Sequence, residues 1–139
     1  MPSVKNERLT RRARFAMTAT RLLLVAALLA GAGPAAAQQV RVLVQSSPLA
    51  GFEYHQAPEV WGALRVGDAL RLEREADNAH DSRAVRVEWQ GHKLGYVPRA
   101  HNAALAWAMD RGEILDARIS RLRPHRSPRK RIEFEVYVD

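Results

Sequence analysis

The sequence predicts a mainly β domain with one or two short helices, folded as a small, partly open barrel of about six strands. Two observations carry this reading. Apolar and polar residues alternate with period two in six short runs between Val40 and Val138, the signature of half-buried strands. One stretch, from Asn102 to about Asp110, switches to helical spacing, and no repeat or low-complexity tract interrupts the pattern after residue 37.

The first run is Val40–Gln45, where Val40, Val42 and Val44 alternate with Arg41, Leu43 and Gln45 before Ser46-Ser47-Pro48 ends it. Pro48 and Gly51 then open an irregular loop whose Phe52, Tyr54 and Trp61 either plug a barrel end or present stacking faces. Gly67-Asp68 turns the chain into a second run, with Leu70 and Leu72 set against Arg71 and Glu73. Val85, Val87 and Trp89 form the third, and Gly91-His92 leads into the fourth, Lys93–Val97. Asn102 is expected to cap the helix, with Leu105, Trp107 and Met109 on its apolar face and Arg111-Gly112 as its stop. Leu115, Ala117 and Ile119, then Ile132, Phe134, Val136 and Val138, supply a closing hairpin. This tally matches a barrel of the OB or SH3 kind, and such barrels commonly bind linear polymers on one face.

A chain of 139 residues has room for one domain, here expected at 38–139, behind a leader. Lys5, Arg8, Arg11, Arg12, Arg14 and Arg21 precede the apolar run Leu22–Ala30, and Ala35-Ala36-Ala37 offers a cleavage site, so residues 1–37 read as a secretion signal. Met17 begins a shorter signal of more ordinary form and is an alternative start. The apolar run falls short of the ~20 residues of a membrane span, so the expectation is a periplasmic or secreted protein without stable membrane insertion. The net charge of +7 belongs mostly to that leader. It holds six of the 22 Lys and Arg and one of the 15 Asp and Glu, which leaves 16 against 14, or +2, on the rest. Long-range steering by such a charge is weak, so nucleic-acid binding would need a local patch. Arg121, Arg123, Arg126, Arg129 and Lys130 form one, unless that loop is simply a solvated hairpin tip.

The absence of cysteine removes disulfides, thiolate metal sites and lipid attachment. No Gly-rich phosphate loop of the Gly-x-x-x-x-Gly-Lys type is present, and Ser46, Ser47, Ser82, Ser120 and Ser127 lie in no nucleophile elbow. His55, His80, Asp81 and His92 would have to converge to hold zinc, and ordinary surface or stacking roles suit them better. The expectation is therefore a protein that is not an enzyme and needs no cofactor. One corner is more polar than a connection requires: Asp77-Asn78-Ala79-His80-Asp81 reads either as an Asx turn or as a ligand site.

Taken together, Gly51–His55, Leu64–Leu70, Glu75–Val85 and Leu94–Arg99 resemble the HIRAN domain in order and spacing, over roughly Val40 to Val138. The resemblance implies an OB-like barrel that, within helicase-like DNA repair translocases, grips the 3′-hydroxyl end of single-stranded DNA. It implies that Tyr54, beside His55, stacks on a terminal base, an interaction worth ~1–3 kcal/mol. Asn78 and Asp81 match the amide and carboxylate of an Asn-x-Tyr-Asp signature, with Asp81 accepting from the terminal hydroxyl and His80 replacing the second aromatic. Tyr96 would face the nucleotide, Lys93 and Arg99 the phosphates, and the basic loop would lie near the rim of the same groove. Glu53 departs from the pattern, standing where DNA-gripping relatives carry a basic residue before the tyrosine. Three readings follow: a nucleic-acid-binding module, an envelope protein using the groove for a non-nucleic ligand or protein partner, and a zinc-dependent hydrolase of acid anhydrides. The last has no motif behind it.

Overall fold

The six alternating runs become six strands in a computed structural model that describes Gly33 and residues 40–138. The leader expected at 1–37 falls, apart from Gly33, outside the described residues. The strands are β1 (Val42–Pro48), β2 (Ala69–Glu75), β3 (Ala84–Trp89), β4 (His92–Tyr96), β5 (Leu115–Leu122) and β6 (Ile132–Val138). Two helices accompany them, α1 (Ala57–Val60) and α2 (Arg99–Asp110). All pairings are antiparallel, in the order β1-β6-β5-β2-β3-β4, and the sheet does not close. This is the mainly β, partly open barrel expected.

Alternation places the core. Leu70, Leu72, Val85, Val87, Trp89, Ile119, Phe134 and Val136 all turn inward and are buried. Full burial of such a side chain is worth ~1.5–3 kcal/mol. The β3–β4 hairpin turns on Gln90 and Gly91 at φ 46° and 80°, the pair of positive angles that matches the right-handed twist of its strands. At the same end of the sheet, Asp68 accepts from the Trp89 indole N–H at 3.0 Å and from the Arg65 backbone N–H at 2.8 Å, tying the turn before β2 to the end of β3.

Four local expectations are corrected. The first strand runs through Ser46 and Ser47 to Pro48, and a bulge between Leu43 and Gln45 breaks its register. Proline is tolerated there because β1 ends the sheet. Val42, Leu43 and Val44 are about half exposed rather than alternately buried. The main helix begins at Arg99 with Pro98 before it, so Asn102 lies inside the first turn and is buried. Its inward face is Asn102, Leu105, Ala106 and Met109, the i, i+3, i+4, i+7 stripe, which leaves Trp107 on the outside at 58% exposure. The stop at Gly112 holds: Gly112 N–H bonds to Met109 O and Glu113 N–H to Ala108 O, the paired bonds of a Schellman ending.

The segment that follows β1 reaches across to β4. Beyond β1, Ala50 and Tyr96 exchange two backbone hydrogen bonds of 2.9 Å. Gly95 permits this approach, since a Cβ there would lie 2.1 Å from the Ala50 carbonyl oxygen. Gly95→Ala is therefore expected to destabilise by ~1–3 kcal/mol. For a domain of this size that lowers the thermal midpoint by roughly 4–8 °C per kcal/mol. An unchanged midpoint on thermal denaturation would show that the bridge adds nothing.

Candidate nucleic-acid interface

The segment that follows β1 is held against β4 at two points. Ala50 is the first; at the second, Gln56 donates its backbone N–H to Lys93 O and accepts the Lys93 N–H on its side-chain oxygen, both at 2.9 Å. Between them a 3-10 turn, Phe52–Tyr54, directs its two rings apart. Phe52 is 2% exposed and plugs the core, whereas Tyr54 is 79% exposed. One ring is buried and the other faces solvent within three residues.

An open cleft of about 790 Å³ lies beside this turn. Tyr54 and His55 line it from the turn, Asn78, His80 and Asp81 from the β2–β3 corner, Lys93 and Tyr96 from β4, and Arg99 from the start of α2. Residues from four separate segments thus meet in one place.

Hydrogen bonding fixes most of them. Asn78 Oδ1 accepts the backbone N–H groups of His80 at 2.9 Å and Asp81 at 3.1 Å, so the corner is an Asx turn as well as a cleft wall. Glu75, at the end of β2, accepts from Asn78 Nδ2 at 3.0 Å and from the Tyr96 hydroxyl at 2.9 Å. Burial would raise the Glu75 carboxyl, but those two bonds and the charges of Lys93 and Arg86 outweigh it and hold it low. The Tyr96 ring is flanked by Lys93 Nζ, 4.5 Å from its centroid, and by the His55 ring, edge-on at 5.5 Å. Burial and the Lys93 charge hold His55 below its ordinary 6.5, against a smaller opposing pull from Glu75.

Asp81 is the one carboxylate among the cleft-lining residues. Its Oδ1 accepts the Arg83 backbone N–H at 2.9 Å and its Oδ2 the Asn102 amide at 2.7 Å, with Arg99 Nε 3.9 Å away. The Arg83 N–H is the main cause of a lowered pKa; burial opposes it, and Asn102, Arg99 and Arg83 add to it. Arg99 also donates to His80 O, which anchors the cation to the corner.

Asn102 and Glu75, which hold side chains of the cleft wall, are the residues that sequence reasoning missed. A polar residue at one position of an otherwise apolar helical stripe was the available signal for Asn102. The basic loop is placed differently from the groove residues. Arg121, Arg123, Arg126, Arg129 and Lys130 are all exposed, and none of them lines the cleft. The loop's own 3-10 turn, Pro128–Lys130, lies against the Phe52–Tyr54 turn. Glu53 is exposed and does not line the cleft either. His92 stacks on Trp89 with ring centroids 6.0 Å apart, away from His55 and His80, and no group of three possible metal ligands exists among the described residues.

The family model of the HIRAN domain matches residues 42–139. The chain belongs to the HIRAN domain family. Among solved structures, this HIRAN domain is similar to a protein from Lactobacillus plantarum at 29% identity, with a TM-score of 0.62 over 71% of this chain and 95% of that one. Its fold is also that of the HIRAN domain of human HLTF, at 18% identity and a TM-score of 0.51 over 71% of this chain and 80% of that chain. No curated protein matches it.

Ionised Asp81 stabilises the fold above its ordinary value of 3.8, and that contribution disappears as the pH falls through its lower folded value. Asn102→Ala removes one donor, so the Asp81 titration should move up toward 3.8 and the acid-unfolding profile should flatten. Carboxyl carbon shifts followed by NMR measure this directly; an unmoved Asp81 midpoint would deny Asn102 its hold on the carboxylate.

Proposed function

We propose that this HIRAN domain is a non-catalytic module that seats the 3′ end of single-stranded nucleic acid in the Tyr54 cleft. The observation that carries the reading is the exposure of Tyr54 at 79%, beside a cleft whose wall combines an ionised carboxylate with two cations. An aromatic ring with no packing role offers a stacking face. Asp81 keeps lone pairs on both oxygens after its two hydrogen bonds, so it can accept from a terminal hydroxyl. Lys93 and Arg99 are the phosphate partners. Glu53 is exposed and does not line the wall, so its carboxylate faces solvent next to Tyr54 without entering the cleft. If residues 1–37 export the domain as their composition suggests, the nucleic acid it meets lies outside the cytoplasm.

Fluorescence anisotropy with single-stranded DNA bearing either a 3′ hydroxyl or a 3′ phosphate tests this. The hydroxyl end should bind more tightly, Tyr54→Ala should weaken it by about 5- to 150-fold, matching ~1–3 kcal/mol of stacking, and Asp81→Asn should erase the end preference. Equal, weak binding to both ends would hand the groove to a non-nucleic ligand. A phosphate beside Lys93 offsets the charge that holds His55 low, so binding should take up a proton there. Affinity is expected to rise as the pH is lowered from about 7.5 to about 6, with a smaller rise in His55→Gln. A pH response identical in that variant would place the proton elsewhere.

A further inference from the structure

A second concavity lies on the other side of the Phe52–Tyr54 turn. It has a volume of about 560 Å³, and its wall includes Phe52, Trp61, His125, Arg126 and Arg131. No carboxylate is among its lining residues. Its chemistry is cationic and aromatic at once.

The donors there are partly preset. Arg131 Nε donates to His125 O at 2.8 Å, and its guanidinium lies 4.9 Å from the Phe52 ring centroid, so its remaining N–H groups are held in place on an aromatic face. His125 Nδ1 accepts the Ser127 backbone N–H at 2.9 Å, which leaves Nε2 as the site of a free donor. Arg126 is exposed and has no hydrogen bond or ion pair among the described residues. Trp61 is edge-on to Phe52 at 5.6 Å, which steadies its ring at the cavity wall. Cationic donors beside a fixed indole suit a phosphate joined to a flat ring.

We propose that this cavity is a second nucleotide subsite, occupied by an internal nucleotide on the 5′ side of the one in the Tyr54 cleft. The inference rests on the end-binding reading above. A strand whose 3′ terminus fills that cleft has only its 5′ side free to continue. Phe52 lines this cavity and Tyr54 lines the first cleft, and the two residues belong to one three-residue turn. The strand therefore crosses the turn between the two sites. Arg126 and Arg131 take a phosphate, Trp61 takes the base, and the basic loop acquires a role that it does not have at the first cleft.

The test is the length dependence of anisotropy-measured affinity, using oligothymidylates of two and ten nucleotides with free 3′ hydroxyls. The wild type should bind the ten-mer at least tenfold more tightly than the dimer. Arg126→Gln should reduce that ratio to below threefold, and should lower the salt slope for the ten-mer by close to the ~0.7 expected for each single-strand phosphate that no longer meets a cation. Trp61→Phe, which keeps a ring against Phe52, should cut the ratio less, and a melting curve on each variant verifies that it is folded. A ratio unchanged in folded Arg126→Gln, or no gain with length in the wild type, overturns the second subsite. Failure of the end-binding reading looks different: a 3′ phosphate would then bind as well as a 3′ hydroxyl at both lengths.

Discussion

The outer edge of β4 is the constraint on which the rest of the molecule depends. An exposed strand edge leaves backbone donors and acceptors without partners, and here the chain covers it with its own returning segment. Ala50 pairs with Tyr96, and Gln56 pairs with Lys93 through both its backbone and its side chain. Because both ends of the intervening stretch are fixed, the short turn between them has little choice of direction. Phe52 goes into the core and Tyr54 goes out. Gly95 matters through this pairing, as the position where a side chain would collide with the covering backbone.

Behind the cleft the sheet supplies an electrostatic frame. Arg86, in the middle of β3, reaches Glu73 at 2.8 Å, Glu88 at 2.9 Å and Glu75 at 3.4 Å. Glu75 in turn orients Asn78 and Tyr96. On the far side, Arg74 pairs with Asp110 at 3.0 Å and fastens the end of α2 to β2, while Asn102 near the start of α2 holds Asp81. The cleft's acid and its aromatic wall are therefore set by residues from the sheet and the helix, which are more rigid supports than the loop that displays them.

Much of this was legible in the sequence. Period-two alternation located β2, β3, β5 and β6, because each has one face on the core and one toward solvent. It misled at β1, where Val40, Val42 and Val44 alternate with Arg41, Leu43 and Gln45 in sequence, yet Val42, Leu43 and Val44 lie half exposed on a bulged terminal strand with little to pack against. Pro48 looked like a stop because proline removes a donor, a loss that a strand at the end of the sheet does not feel. Trp107 looked like core because it is large and apolar, yet the helix phase is set by Leu105, Ala106 and Met109. The cleft residues could be gathered from matched segments, but the partners that hold them could not. Asn102 is far from Asp81 in the chain, and only the docking of α2 on β3 brings the two together.

The covered edge of β4 also narrows what kind of guest the cleft can take. Many β domains capture an extended peptide by letting it lengthen the sheet, with main-chain bonds supplying the affinity. Beside Tyr54 that mode is closed, because the rungs at Lys93 and Tyr96 already belong to the protein itself. A guest there would meet rings, an amide and charged side chains in place of a free strand edge, chemistry suited to a polymer of flat bases on a charged backbone and poorly suited to one whose only regular feature is an amide ladder.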